Sequence, residues 1–276
     1  MRIYTYTIRD REILQNSSSG GAFSAIALYV LKNQGVVYGS SINKTTGNVE
    51  HIRIDNQNDL EKLRGAKYVF SNLGNSFKTI RDDLRNNVLV LFSGTPCQVN
   101  TLYNFLDENE RKNLILIDII CHGAPLPKYW SQYILEYNFK APYNINFREK
   151  HLDWKNYFFH FNSLISPHST NDYFYFFIKN YLFGENCYNC TAKSNNRKSD
   201  ITLGDAWGIE NITSNYNANG VSLVIQNTNR FDLIKILKKS GELNPVPQAI
   251  LTYFNPSYYA HFKLVFKLFF IIVKPP

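Results

Sequence analysis

Val88-Leu89-Val90-Leu91-Phe92 and Leu114-Ile115-Leu116-Ile117-Asp118-Ile119-Ile120 are apolar at nearly every consecutive position rather than at alternate ones. A strand of that kind has to be covered on both faces. Each run stops at a turn, Ser93-Gly94-Thr95-Pro96-Cys97 in one case and Cys121-His122-Gly123 in the other. A helical pattern follows each turn, through Val99, Leu102 and Phe105, and then around Trp130, Tyr133 and Ile134. Two strand-loop-helix units in succession predict a largely parallel sheet flanked by helices. Cys97 and Cys121 then fall at the carboxyl ends of strands, the rim where open α/β sheets hold ligands.

Around these units the patterning predicts a mixed α/β (α+β) chain. Ser17-Ser18-Ser19-Gly20-Gly21 precedes an apolar stretch from Ala22 to Leu31, and Gly35 follows it, so serine caps are expected to open a helix that glycine closes. Gly35 to Gly39 reads as a short buried strand, and Asn48 to Ile54 alternates at the period of a half-buried strand expected to pair with it. Asn58 is expected to cap a helical turn through Leu60 and Leu63, and Phe77, Ile80 and Leu84 stand at helical spacing. From Asn144 onward the pattern changes to strands at Asn144 to Glu149 and Tyr157 to Phe161, then an aromatic helix from Tyr173 to Phe183. Strands over Asp200 to Gly208 and Val221 to Ile225 complete an α+β second half, with Asn211 to Asn219 as a surface loop between them.

The chain has 276 residues with 44% hydrophobic content, enough for one large domain or two small ones around a real core. Its 19 Tyr and 20 Phe are set aside as a bias of composition. A net charge of +8 suits an anionic partner, a nucleotide cofactor or an acidic electron carrier. The basic residues are scattered, with no recognition-helix or RNA-binding signature, so nucleic acid is not expected as a partner. Met1 to Asp10 lacks the apolar region of a secretory signal, which predicts a cytoplasmic protein. Leu268 to Val273 is far shorter than a bilayer span and reads as a terminal element packed on the core rather than a membrane anchor.

Four cysteines in a reducing compartment argue for metal or redox chemistry rather than disulfides. All four fall in loops: Cys97, Cys121, and the pair Cys187-Tyr188-Asn189-Cys190. A C-x-x-C pair with two further loop thiols makes a four-thiolate set, and zinc and [4Fe-4S] share that count. Thioredoxin-like chemistry would leave Cys97 and Cys121 unexplained. A nucleophilic Cys97 or Cys121 with His122 is a further alternative, since a thiol near a helix N-terminus is expected to be acidified, but adjacent residues at a strand end point apart. A zinc deaminase needs H-x-E and P-C-x-x-C, and neither His122 nor the residue before Cys187 fits. The serine-glycine run offers exposed backbone N–H groups and no bulky side chain, a cradle for a phosphate or a flavin edge, or simply an N-cap.

Several segments together resemble the coenzyme F420 hydrogenase/dehydrogenase beta-subunit family. They are Ser18-Ser19-Gly20-Gly21-Ala22-Phe23-Ser24, Leu63-Arg64-Gly65-Ala66-Lys67-Tyr68-Val69, Phe92-Ser93-Gly94-Thr95-Pro96-Cys97-Gln98, and Cys121-His122-Gly123-Ala124-Pro125. Phe147-Arg148-Glu149-Lys150 with Trp154-Lys155, the C-x-x-C segment, and Asp200 to Gly208 continue the series in order. The resemblance implies an oxidoreductase that binds FAD and a [4Fe-4S] cluster, and so favours iron-sulfur over zinc; the alternative is a non-catalytic module whose four cysteines bind zinc or a cluster and whose surface docks a partner. Carried over, it makes Cys97, Cys121, Cys187 and Cys190 the cluster ligands. It places Ser18, Ser19, Gly20, Gly21, Lys67, Tyr68, Ser93, Gly94 and Thr95 at the flavin, with Lys67 catalytic through stabilisation of the reduced ring. Residues 1–143 would then form a flavin-binding α/β half and residues 144–276 an α+β half carrying the C-x-x-C pair, with the cluster at the rim between them, or the two would be one integrated domain. Many relatives carry an N-terminal ferredoxin-like cysteine motif ahead of the Ser-Gly-Gly segment, and this sequence does not show one. A separate ferredoxin or other electron-transfer protein is therefore the expected partner, with F420, NAD(P)H or a small substrate exchanging the hydride. Short relatives resemble proteins of surface-polysaccharide gene clusters, which implies a reductive step in glycan biosynthesis.

Overall fold

The computed structural model describes residues 1–259 apart from 152 and 215. The expected terminal element over Leu268 to Val273 lies outside them. In chain order the first half comprises β1 (Arg2–Ile8), α1 (Arg11–Gln15), α2 (Ala22–Lys32), β2 (Val36–Ile42), β3 (Val49–Ile54), a 3-10 turn (Gln57–Leu63), α3 (Ser76–Arg85), β4 (Val90–Gly94), α4 (Pro96–Phe105), β5 (Leu114–Ile119) and α5 (Pro127–Glu136). The second half comprises β6 (Ile145–Glu149), β7 (Phe158–Phe161), β8 (Leu164–Pro167), α6 (Asp172–Ile178), α7 (Glu185–Tyr188), β9 (Ile201–Asp205), β10 (Ser222–Gln226), α8 (Leu233–Ser240) and β11 (Gly241–Pro245).

Eight strands form one mixed sheet in the order β11-β1-β10-β9-β5-β4-β2-β3, and β6-β7-β8 form a second, antiparallel one. The centre of the large sheet is parallel from β2 through β4 and β5 to β9, as the two apolar runs require. Its two margins are antiparallel: β3 on one side, and β10, β1 and β11 on the other. The division expected after residue 143 falls between α5 and β6, and β9, β10 and β11 from beyond it join the sheet that β1 to β5 begin.

The double coverage of the apolar runs is visible residue by residue. Leu91, Ile115 and Ile117 pack with Ile26, Val30 and Leu237 from α2 and α8. Their sequence neighbours Val90, Phe92, Leu114 and Leu116 face the other way, against Ile80, Leu84, Val99 and Leu102 from α3 and α4. Each such side chain contributes roughly 1.5–3 kcal/mol on burial. A third core is aromatic: Trp130 from α5 meets Phe147, Phe159 and Phe161 of the small sheet, and α6 adds Tyr173 and Phe174. The aromatic excess is therefore more than composition, because it builds the joint between the small sheet and α5.

Local expectations were corrected at several points. The residue before α2 is Gly21, in a left-handed conformation (φ 85°) with no side-chain cap, so the serines do not cap that helix. After α2 it is Gln34, not Gly35, that takes the left-handed turn (φ 58°). The 3-10 turn is capped by Asn56, whose side chain accepts from the Asp59 N–H, rather than by Asn58. The aromatic helix α6 stops at Ile178, and the chain turns at Asn180 (φ 67°). The strand β1, which the sequence reading did not single out, pairs with β10 and β11 from the far end of the chain.

Candidate functional site

A cavity of about 600 Å³ opens at the carboxyl ends of β4 and β5, under the N-terminus of α2. Its wall includes Ser17, Ser18, Ser19 and Gly21, then Lys67 and Tyr68, then Ser93, Gly94 and Thr95. Eight of the nine residues expected at a flavin thus border one space, and Gly20 does not. Gly20 packs inward instead: its N–H donates to the Ser222 hydroxyl at 2.9 Å, and a Cβ there would lie 2.5 Å from the Ser222 nitrogen and run into the Tyr6 carbonyl.

The serine loop is held by side chains rather than by capping α2. Ser17 donates to the Ile13 carbonyl at 2.7 Å, Ser18 accepts the Ala66 N–H at 2.6 Å, and Ser19 donates to the Val221 carbonyl at 2.7 Å. Lys150 closes the loop from outside, donating to the carbonyls of Leu14 (2.7 Å), Ser19 (3.1 Å) and Asn219. Burial lowers the Lys150 pKa to about 8. The first amides of α2, at Ala22, Phe23 and Ser24, have no acceptor one turn back and border the cavity, so the pole of the helix suits an anionic group.

Lys67 closes the carboxyl end of the 3-10 turn, with its ammonium 2.9 Å from the Leu63 carbonyl and 2.7 Å from that of Arg64. Desolvation brings its pKa down to about 7. The ammonium thus helps to shape the wall of the cavity.

The Ser93-Gly94-Thr95 turn is fixed by a relay that sequence reading missed. Thr95 and Gln98 form a capping box at the start of α4, with the Gln98 Oε1 accepting from the Thr95 N–H at 3.0 Å. The Gln98 amide then donates to the Ser71 hydroxyl at 3.0 Å. Ser71 meets the His51 Nδ1 at 3.0 Å, and the His51 Nε2 meets the Ser93 carbonyl at 3.0 Å. A carbonyl only accepts, so Nε2 carries the ring proton and Nδ1 accepts from Ser71. The ring stacks on Phe92 at 5.2 Å.

The opposite wall holds Arg148, Tyr157, Asp205 and Trp207, again unassigned from sequence although Arg148 and Asp205 lie in segments already singled out. The Arg148 guanidinium is 2.5 Å from the Asp205 carboxylate and 4.6 Å from the centre of the Tyr157 ring. Burial opposes its charge most strongly, but Asp205, Tyr68 and Tyr157 together outweigh burial and raise its pKa. The signal that could have found this pair is its placement at the ends of β6 and β9, and that placement becomes visible only once the strands are assembled.

The four cysteines lie on three segments that adjoin one another. In the β4–β5 register Gly94 stands opposite Asp118, so Cys97 and Cys121 each lie three residues past one registered pair. Beyond Cys121 the chain bridges the segment before the C-x-x-C pair, through Pro125 with Phe183 and the Leu126 N–H to the Leu182 carbonyl at 2.9 Å. Cys187 and Cys190 follow on and just after α7. Burial, then the neighbouring thiol of Cys97, with smaller contributions from Cys187 and Cys190, lift the Cys121 thiol to about 12 against the opposing charge of Lys193. Cys97 is the exposed member, yet desolvation and then the charges of Cys190 and Cys187 raise its thiol too, against the acidification expected at a helix N-terminus. The thiols thus lie within one another's electrostatic reach. Among the described residues no three His, Cys, Asp or Glu side chains gather tightly enough to hold a single metal ion. A [4Fe-4S] cluster makes a different demand, since its four thiolates bind separate irons. His122 lies beside this set, its ring 5.3 Å from Phe177 and its Nδ1 3.3 Å from the Ser257 hydroxyl.

No helix among the described residues is long and apolar enough to cross a membrane. No curated protein matches the sequence. Residues 88–247, more than half of the chain, match the profile of the family described as the carboxyl-terminal region of the beta subunit of coenzyme F420 hydrogenase/dehydrogenase. Among solved structures, a chain of the xenon-derivatised F420-reducing [NiFe] hydrogenase complex from Methanosarcina barkeri matches with a TM-score of 0.59 and 15% identity, covering 89% of this chain and 82% of that one. At that identity the likeness concerns the fold.

Proposed function

Because this chain belongs to the coenzyme F420 hydrogenase/dehydrogenase beta-subunit family, we propose that it is an oxidoreductase that uses FAD and a [4Fe-4S] cluster bound by Cys97, Cys121, Cys187 and Cys190. The observation that carries this reading is a shared wall: the cavity runs unbroken from the serine loop, Lys67 and Ser93 to Cys121. A ring seated there would lie against a segment that carries one of the cluster thiols.

Flavin supplies two-electron hydride chemistry and the cluster supplies single-electron transfer. The chain's own residues provide the rest. The first turn of α2 receives an anionic group, the hydrogen-bonded relay from Gln98 to His51 holds the Ser93-Gly94-Thr95 edge still, and Tyr68, Tyr157 and Trp207 offer aromatic surface. The Lys67 ammonium, with a pKa near neutrality, sits where it can favour extra negative charge on a bound ring. The raised thiols are protonated before loading, so each must release a proton to bind iron. The second electron carrier is a ferredoxin or similar protein, and the hydride partner is F420, NAD(P)H or a reducible substrate, including one from glycan biosynthesis.

The test is anaerobic purification followed by a visible spectrum and iron, sulfide and flavin analysis. The expected protein is brown, with about four irons per chain and flavin bands. Cys187→Ser should bleach the iron-sulfur absorbance while flavin remains. A colourless chain with one zinc, or a Cys187→Ser variant with undiminished iron, refutes the assignment.

A further inference from the structure

Three residues beyond the C-x-x-C pair stands a lysine that none of the motifs above accounts for. Lys193 is only 5% exposed, unusual for a long cationic side chain, which ordinarily keeps its head in water. Its backbone N–H points to the Cys190 carbonyl at 3.4 Å, and its ammonium reaches across to donate to the His122 carbonyl at 3.1 Å. The head of the side chain is therefore carried from the Cys187–Cys190 loop to the residue that follows Cys121. It spans two of the three segments that bring the thiols together. Its neighbour Arg197 is buried as well, but is bound to the Asp118 carboxylate at 3.1 Å and to the carbonyls of Ser194 and Tyr258. Arg197 thus has a structural partner of opposite charge and ties the loop to β5.

We propose that Lys193 sets the reduction potential of the four-cysteine site, its buried ammonium stabilising the reduced cluster over the oxidised one. This rests on the cluster reading above. Adding one electron, which arrives from the reduced flavin, deepens the negative charge of a site that already carries four thiolates. A fixed cation in a desolvated setting favours the more negative state, and the potential rises accordingly. The geometry that supports this is the reach of the ammonium to the His122 carbonyl, one residue beyond Cys121, from a side chain anchored three residues past Cys190. Lys193 is a positioning and tuning residue, since it touches the ligand loops rather than a substrate.

The experiment compares the full chain with Lys193→Gln and Lys193→Arg, each purified anaerobically, analysed for iron and sulfide, and titrated in a spectroelectrochemical cell. Both replacements can still donate to the His122 carbonyl, but only the second keeps the charge. Lys193→Gln should hold its iron and show at least about a tenfold lower ratio of reduced to oxidised cluster at the wild-type midpoint, equal to about 59 mV for a one-electron couple. Lys193→Arg should return the midpoint towards the wild type. An iron-replete Lys193→Gln with an unmoved midpoint overturns the proposal. So does loss of iron in Lys193→Gln with retention in Lys193→Arg, because the residue would then be a clasp for the loops. A wild-type chain without iron overturns the cluster reading itself and is recognised before any variant is titrated.

Discussion

Lowering the pH from neutrality towards 4 should expose a histidine that the fold keeps uncharged. His51 is 8% exposed, and both ring nitrogens are committed, one to the Ser93 carbonyl and one to the Ser71 hydroxyl, each at 3.0 Å. Burial pulls its pKa from 6.5 to about 4; the bond to Ser93 opposes that shift and the charge of Lys67 adds to it. The unfolded chain takes up the proton near 6.5, whereas the folded chain refuses it until about 4. The stabilising contribution is therefore complete above 6.5 and is lost as the pH falls through about 4. Across that interval, at about 1.4 kcal/mol per pH unit, roughly 3 kcal/mol is at stake. Nitrogen-15 spectra of the histidines along a pH titration read this directly, with His51→Gln identifying the resonance. The expected signal is a neutral ring protonated on Nε2 that titrates near 4. Urea unfolding at both ends of the range should show His51→Gln losing less stability on acidification than the wild type. A His51 resonance that titrates near 6.5, or equal acid losses in the two proteins, refutes the reasoning.

Asp118→Asn should be among the most damaging isosteric changes in the chain. It removes the charge opposite Arg197, in a pair whose two side chains are each 1% exposed. Stranding a buried guanidinium costs about 3–5 kcal/mol, and a fall in the urea midpoint checks it; an unchanged midpoint means the pair is not closed in solution. Gly20→Ala should lower the melting temperature markedly, because the new Cβ meets backbone of β1 and β10 rather than a movable side chain, at a cost of about 1–3 kcal/mol or more. Full stability in that variant would show that the serine loop sits further from Ser222.

The parallel centre of the sheet was legible because its cause is local. Runs such as Val90 to Phe92 and Leu114 to Ile117 must be covered on both faces whatever lies around them, and the turns that end them carry their own Gly, Pro and Thr signals. The C-x-x-C spacing travels with the sequence in the same way, but loop position did not: Cys97 falls in the first turn of α4 and Cys187 in α7. Capping was legible only in part: Asn and Ser before a helix identify a chain reversal, but whether Ser17, Ser18 and Ser19 cap α2 or bond to Ile13, Ala66 and Val221 depends on what lies beside them.

What tertiary structure alone decided is everything built across distance. Strand β1 acquires its place between β10 and β11 from partners more than 200 residues away, so no local pattern announces it. The Arg148–Asp205 pair, the His51–Ser71–Gln98 relay and the reach of Lys193 to His122 each join residues whose separation in sequence carries no information about their separation in space. Side-chain type and period determine which elements can form and which groups can bind a cofactor. The order in which strands pair determines which of those groups share a wall, and that order is chosen by burial of the whole core rather than by any segment of it.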